Sequence, residues 1–185
     1  LYIFGSHDRE GGTTYCELDY VVYSAAVDNL KDWKCEGTIY RADQDPHSNK
    51  ERRQMYAPDV VQGNDGRYYL YYTMGGEAGN GGFDDPISVA VCDTPAGKYE
   101  YLGDVRYADG RQMNRFIPFD PAVINDGGRI LLYYGWALTQ KEPKSPLSKK
   151  KYQEMMQNID EYVNRRLDSQ DKGEQICQKQ ENCLK

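Results

Sequence analysis

Through residues 1–136 the apolar positions fall in short runs rich in Val, Ile and Tyr, broken by Gly, Asn and Asp. Such runs predict β-strands, because β-branched and aromatic side chains suit a pleated, half-buried surface. Residues 56–73, YAPDVVQGNDGRYYLYYT, predict one hairpin, with APDVV as a strand, QGNDG as the turn and RYYLYYT as the return. Asn-Asp-Gly between apolar runs favours a turn, since Gly and Asn tolerate positive φ. Sixty-one residues on, the parts recur over 117–135 as IPFDPAVI, NDGG and RILLYYG, with Asp120 standing where Asp59 stood. At the start of the chain LYIFGS matches YLYYT, and its partner strand is expected in sequence upstream.

A second hairpin follows each of the first kind. YVVYSAAVDNLKDWKCEGTIY (20–40) and ISVAVCDTPAGKYEYLGDV (87–105) each run strand, aromatic loop, strand. Trp33 and Tyr99 are 66 residues apart, and so are Gly37 and Gly103. Each unit is thus two hairpins, or four strands, of about 60–65 residues, and such repeats predict β-propeller blades. The expected fold is all-β: a partial blade over 1–40, a full blade over 55–107 and half a third over 116–136. A blade turns its inner strand to a central channel, so Asp59 and Asp120 are expected to face one axial cavity.

The pattern changes near residue 140. SKKKYQEMMQNIDEYVNRRL (148–167) carries apolar residues at 152, 155, 156, 159, 162, 163 and 167, which is the stripe of an amphipathic helix. Ser148 is the expected N-cap. The reading divides the chain into propeller blades over 1–140 and a polar helical insertion or tail over 141–185. Charge follows the same line. The whole carries −6, whereas 141–185 hold 10 Lys+Arg against 8 Asp+Glu, and the first 140 residues hold 15 of the 17 tyrosines. A net negative chain argues against nucleic acid as a partner. With a mean hydropathy of −0.85 the sequence offers no apolar run long enough to span a membrane.

Five cysteines at irregular spacings and only two histidines, His7 and His47, do not make a zinc site. Free thiols in a reducing, cytoplasmic setting are the expectation, the alternative being one or two disulfides in a secreted protein. The Asn-Asp-Gly segments are too short for an EF-hand calcium loop. GGEAGNGGFDDP (75–86) lacks the GK[ST] ending of a phosphate loop and reads as a rim loop beside a site.

YAPDVV, DNLKDWKCEG and FDPAVINDGG together resemble glycoside hydrolase family 43, over about residues 1–136. The resemblance implies a five-bladed propeller enzyme acting with inversion on α-L-arabinofuranosyl or β-D-xylosyl linkages of plant polysaccharide or oligosaccharide. Members use one Asp as general base, a second Asp to orient and tune the acid, and a Glu as general acid. The second matches Asp120; Asp59 matches an acid lining the sugar cleft, with Phe119 beside Asp120. The base and acid are expected outside these 185 residues, and the chain alone is expected to be inactive. A structural calcium in the channel is compatible with that fold; no other cofactor is implied. His7 and Asp8, at the end of the first strand, and Trp136, at the end of a strand where aromatic platforms meet sugars, are further expected substrate contacts. Open strand edges suggest a homo-oligomer. The alternatives are a non-catalytic carbohydrate-binding or interaction module, and an invertase-like fructosidase, which Phe119 in place of an Arg before Asp-Pro disfavours.

Overall fold

A computed structural model describes residues 1–12, 14–49, 53–76, 85–113 and 117–137. The expected helix over 148–167, the boundary near 140 and most of the 75–86 loop lie outside the described residues. Within them the chain is a succession of antiparallel meanders. Blade one is β1 (Tyr2–Ser6), β2 (Asp19–Ser24) and β3 (Lys34–Arg41). Blade two is β4 (Gln54–Gln62), β5 (Tyr68–Gly75), β6 (Ile87–Cys92) and β7 (Glu100–Asp104). Blade three is the hairpin β8 (Ile117–Asp126) and β9 (Arg129–Ala137). A 3₁₀ turn, Ala42–Gln44, begins the link from β3 to β4.

The seam between blades one and two is the core. Tyr20, Val22, Ile39, Tyr40, Met55, Leu70, Tyr72, Met74 and Tyr99 are buried together there. Tyrosine suits this seam because its ring is apolar while its hydroxyl can reach a backbone or polar partner. The Tyr20 hydroxyl donates to Tyr56 O at 2.9 Å. The Tyr72 hydroxyl lies 2.9 Å from that of Tyr40 and donates to the Asp45 carboxylate. Burial pushes the Asp45 carboxyl above its ordinary value, although Tyr72 and the His47 N–H pull the other way. Trp33 and Tyr99, equivalent in the repeat, part ways here: Tyr99 is fully buried, whereas Trp33 is half-buried and donates its indole N–H to Leu30 O at 2.9 Å.

Two irregularities repeat from blade to blade. In the outer hairpins Val22 pairs with Gly37 and Tyr23 with Cys35, so Glu36 bulges; Val89 pairs with Gly103 and Ala90 with Tyr101, so Leu102 bulges. In the inner strands Tyr56 pairs with Thr73 and Asp59 with Tyr71, leaving Ala57 and Pro58 extra. Likewise Phe119 pairs with Gly135 and Ala122 with Tyr133, leaving Asp120 and Pro121 extra. Ala57 (φ 44) and Asp120 (φ 52) both take left-handed backbone. The inner strands therefore superpose on Pro58 and Pro121. This corrects the register of the repeat: Asp120 stands where Ala57 stands, and Asp59 where Ala122 stands. The second turn is corrected too, since Asn125 and Asp126 are strand residues and the reversal falls on Gly127 (φ 57) and Gly128 (φ 95).

Candidate active site

The kink at Asp120 places a carboxylate where the inner strand of blade three leaves the ladder. A non-glycine residue at positive φ is uncommon, and Asp tolerates it better than most. Asp120 is exposed there, with Phe119 half-buried before it. The Phe119 ring packs on Tyr56, the matching residue of blade two, at 5.3 Å between centroids. Tyr56 is buried, donates its hydroxyl to Gly76 O at 3.0 Å, and meets Tyr15 edge-on at 6.0 Å. One aromatic row thus links all three blades.

The segment after β1 closes on the same place. Met55 N–H donates to Cys16 O at 2.7 Å, so this segment is hydrogen-bonded to the start of β4. Ser6 Oγ donates to Met55 O at 2.9 Å. Cys16 N–H donates to Asp8 Oδ1 at 2.6 Å. Burial raises the Cys16 thiol above its ordinary value, and the charges of Asp8 and Asp120 add to this while a hydrogen bond with Ser6 opposes it. Asp8 is thus held against Cys16. His7 extends the β1–β2 ladder through two backbone hydrogen bonds, and its Nδ1 lies 2.9 Å from Asp19 Oδ1. The other Asp19 oxygen accepts from Thr38 Oγ1 at 2.7 Å. A carboxylate on Nδ1 fixes the ring and leaves Nε2 as its outward nitrogen.

The expected site residues separate on this geometry. Asp8 is held on Cys16, and Phe119, the neighbour of Asp120, packs on Tyr56. His7 follows Ser6, with its ring turned to Asp19 and about half exposed. One Asp8 oxygen caps the loop rather than standing free. Asp59, expected to line the sugar cleft, accepts Val123 N–H on Oδ2 at 2.7 Å and Val60 N–H on Oδ1 at 2.9 Å, so it ties the inner strands of blades two and three. Trp136 pairs with Pro118 on β9, and its side chain lies outside the described part. Sequence reading passed over Ser6, Tyr15, Cys16 and Tyr56. The signal for Tyr56 was present in the matched words Tyr-Ala-Pro and Phe-Asp-Pro; nothing in the sequence marks Tyr15 or Cys16. Among the described residues no group of three or more His, Cys, Asp or Glu side chains is placed to hold a metal ion.

Three comparisons bear on this site. The model of the glycosyl hydrolases family 43 matches residues 13–181. A protein from Thermoclostridium stercorarium described as a xylosidase/arabinosidase is 48% identical over 154 residues, covering 81% of this chain and 30% of that protein. The crystal structure of a GH43_1 enzyme from Xanthomonas citri superposes with a TM-score of 0.56 at 28% identity, covering 78% of this chain and 43% of the other. A GH43 β-xylosidase/α-arabinofuranosidase from a compost microbial metagenome, solved with xylotriose in a calcium-free form, gives 0.52 at 28% identity, covering 72% and 38%. The chain thus spans less than half the length of each of these relatives.

Proposed function

This chain belongs to glycosyl hydrolase family 43, and from that premise we propose that the protein containing it hydrolyses α-L-arabinofuranosyl or β-D-xylosyl linkages with inversion. The observation that carries the reading is Asp120, an exposed carboxylate at a left-handed kink of an inner strand, next to Phe119 in the aromatic row. The likeness to a xylosidase/arabinosidase supports the choice of pentosides.

Inversion needs an acid and a base about 6.5–9.5 Å apart, with a water between the base and the anomeric carbon. The base takes a proton from the water as its oxygen attacks; the acid gives a proton to the departing glycosidic oxygen. The resemblance assigns base and acid to positions that no residue here matches. Asp120 has the third task. Its charge holds the neighbouring acid protonated by like-charge repulsion, and its oxygens orient that acid or a sugar hydroxyl. The kink serves this by turning the carboxylate out of the ladder without breaking the strand.

The test uses the whole enzyme with aryl α-L-arabinofuranoside and β-D-xyloside. Asp120→Asn is expected to lower kcat/KM by about 10²-fold or more. Removing a negative charge beside the acid lowers the acid's pKa, so the alkaline limb of the pH–rate profile moves to lower pH. A whole enzyme that cleaves neither substrate, or an Asp120→Asn variant with unchanged rate and profile, overturns the reading.

A further inference from the structure

We propose that Tyr15 forms an aromatic wall of the sugar site beside Asp120 and stacks on the pentose ring; this rests on the pentosidase reading above. Isolated exposed aromatics are ordinary on protein surfaces, so exposure alone says little. Tyr15 differs in how it is held. Tyr15 is 57% exposed, yet its ring meets Tyr56 in a T-shaped contact, and the Tyr56 ring packs on Phe119 next to Asp120. The residue that follows Tyr15, Cys16, has φ 59 and donates its N–H to Asp8 Oδ1 at 2.6 Å.

The segment that presents Tyr15 is braced at each side. Gly12 N–H donates to Arg9 O at 2.9 Å, Arg9 Nε lies 3.3 Å from Glu17 Oε2, and Thr14 Oγ1 donates to the Glu17 carboxylate. Cys16 is held at both its N–H, by Asp8, and its carbonyl, by Met55. Cys16 and Glu17, which follow Tyr15, are thus held while Tyr15 itself stays exposed. An aromatic face oriented in advance loses little freedom on binding and matches the C–H face of a sugar. Tyr107, an exposed tyrosine of another loop, offers a contrast: it sits under its own Arg111 guanidinium at 5.9 Å.

In the whole enzyme, Tyr15→Ala is expected to raise KM and the inhibition constant of free xylose or arabinose about three- to tenfold, with kcat changed far less and melting temperature held. Tyr15→Phe, which keeps the ring, is expected to restore KM, and Tyr107→Ala to match wild type. Three results overturn the assignment: Tyr15→Ala with unchanged KM and pentose inhibition, equal loss of kcat and melting temperature, or Phe as impaired as Ala. A wild type that binds pentose by calorimetry without cleaving a pentoside overturns hydrolysis alone, and the same variants then test Tyr15 through the dissociation constant. A wild type that binds no pentose overturns both.

Discussion

Asp59 and Asp120 are the same residue type on equivalent strands and stand in different surroundings. Asp59 spends both oxygens on backbone N–H groups, one of them across a blade boundary. Asp59→Ala should therefore leave a part-buried Val123 N–H without a partner and lower unfolding free energy by about 1–3 kcal/mol in urea denaturation. Asp120→Asn should leave stability within error, because Asn accepts left-handed backbone as readily as Asp. Its effect should appear in the rate alone. These roles were not legible beforehand, because an alignment anchored on the two acids is two residues off from one anchored on the two prolines. Only the bulges show that proline sets the register. Asp45 gives a further residue-level test. Burial raises its folded pKa, so folding favours the protonated form. Its contribution to stability grows as pH falls through that raised value and levels off below the ordinary carboxylate range. Replacing it with Asn removes this slope, so the stability of wild type relative to Asp45→Asn should rise on acidification; a pH-independent difference would contradict it.

At the scale of elements the sequence was more informative. Tyrosine-rich strands and their order were readable because period, composition and turn residues agree. The spacing of Gly37 and Gly103 pointed to one structural role, and both glycines flank a bulge. The β8–β9 turn was misplaced because Asn-Asp-Gly and Gly-Gly are both competent reversals. With two glycines next to each other a two-residue turn is accessible, and φ values of 57 and 95 match a type I′ turn. The β4–β5 turn has one glycine at positive φ, Gly66, and takes a longer loop closed by Gly63 N–H to Arg67 O at 2.8 Å. Gly128→Ala should cost about 1–2 kcal/mol, since its φ suits no L side chain and the new Cβ would meet Asn64 Nδ2 at 3.1 Å. Gly127→Asn should be nearly neutral. Equal midpoints in a denaturant titration of the two variants would refute this account of the turn.

At the scale of the molecule the described residues form sheets of three, four and two strands. Leu1 just before β1, Tyr2 and Ile3 on β1 and Tyr133 on β9 are exposed apolar groups near strands at sheet edges. The 185 residues expressed alone should show no pentosidase activity and should associate in light scattering, as unpaired edges and apolar surface do. Activity equal to that of the whole enzyme would contradict the assignment of base and acid to positions elsewhere. The blade count was legible because each blade is a local meander. The row of Tyr15, Tyr56 and Phe119 was not, because it joins residues from three blades that only the packing brings together.

Four of the hydrogen bonds between blades have a further property. Tyr20 reaches Tyr56 O, Ser6 reaches Met55 O, Asp59 reaches Val123 N, and Asn64 reaches Gly128 O. In each, one blade supplies a side chain and the next supplies only main chain, which, outside the glycine turn at Gly128, a wide range of residues would present alike. A change in the receiving blade's sequence therefore needs no answering change in the donor. Such joints let a duplicated unit diverge one half at a time, so that neighbouring blades can share a shape long after they have ceased to share their residues.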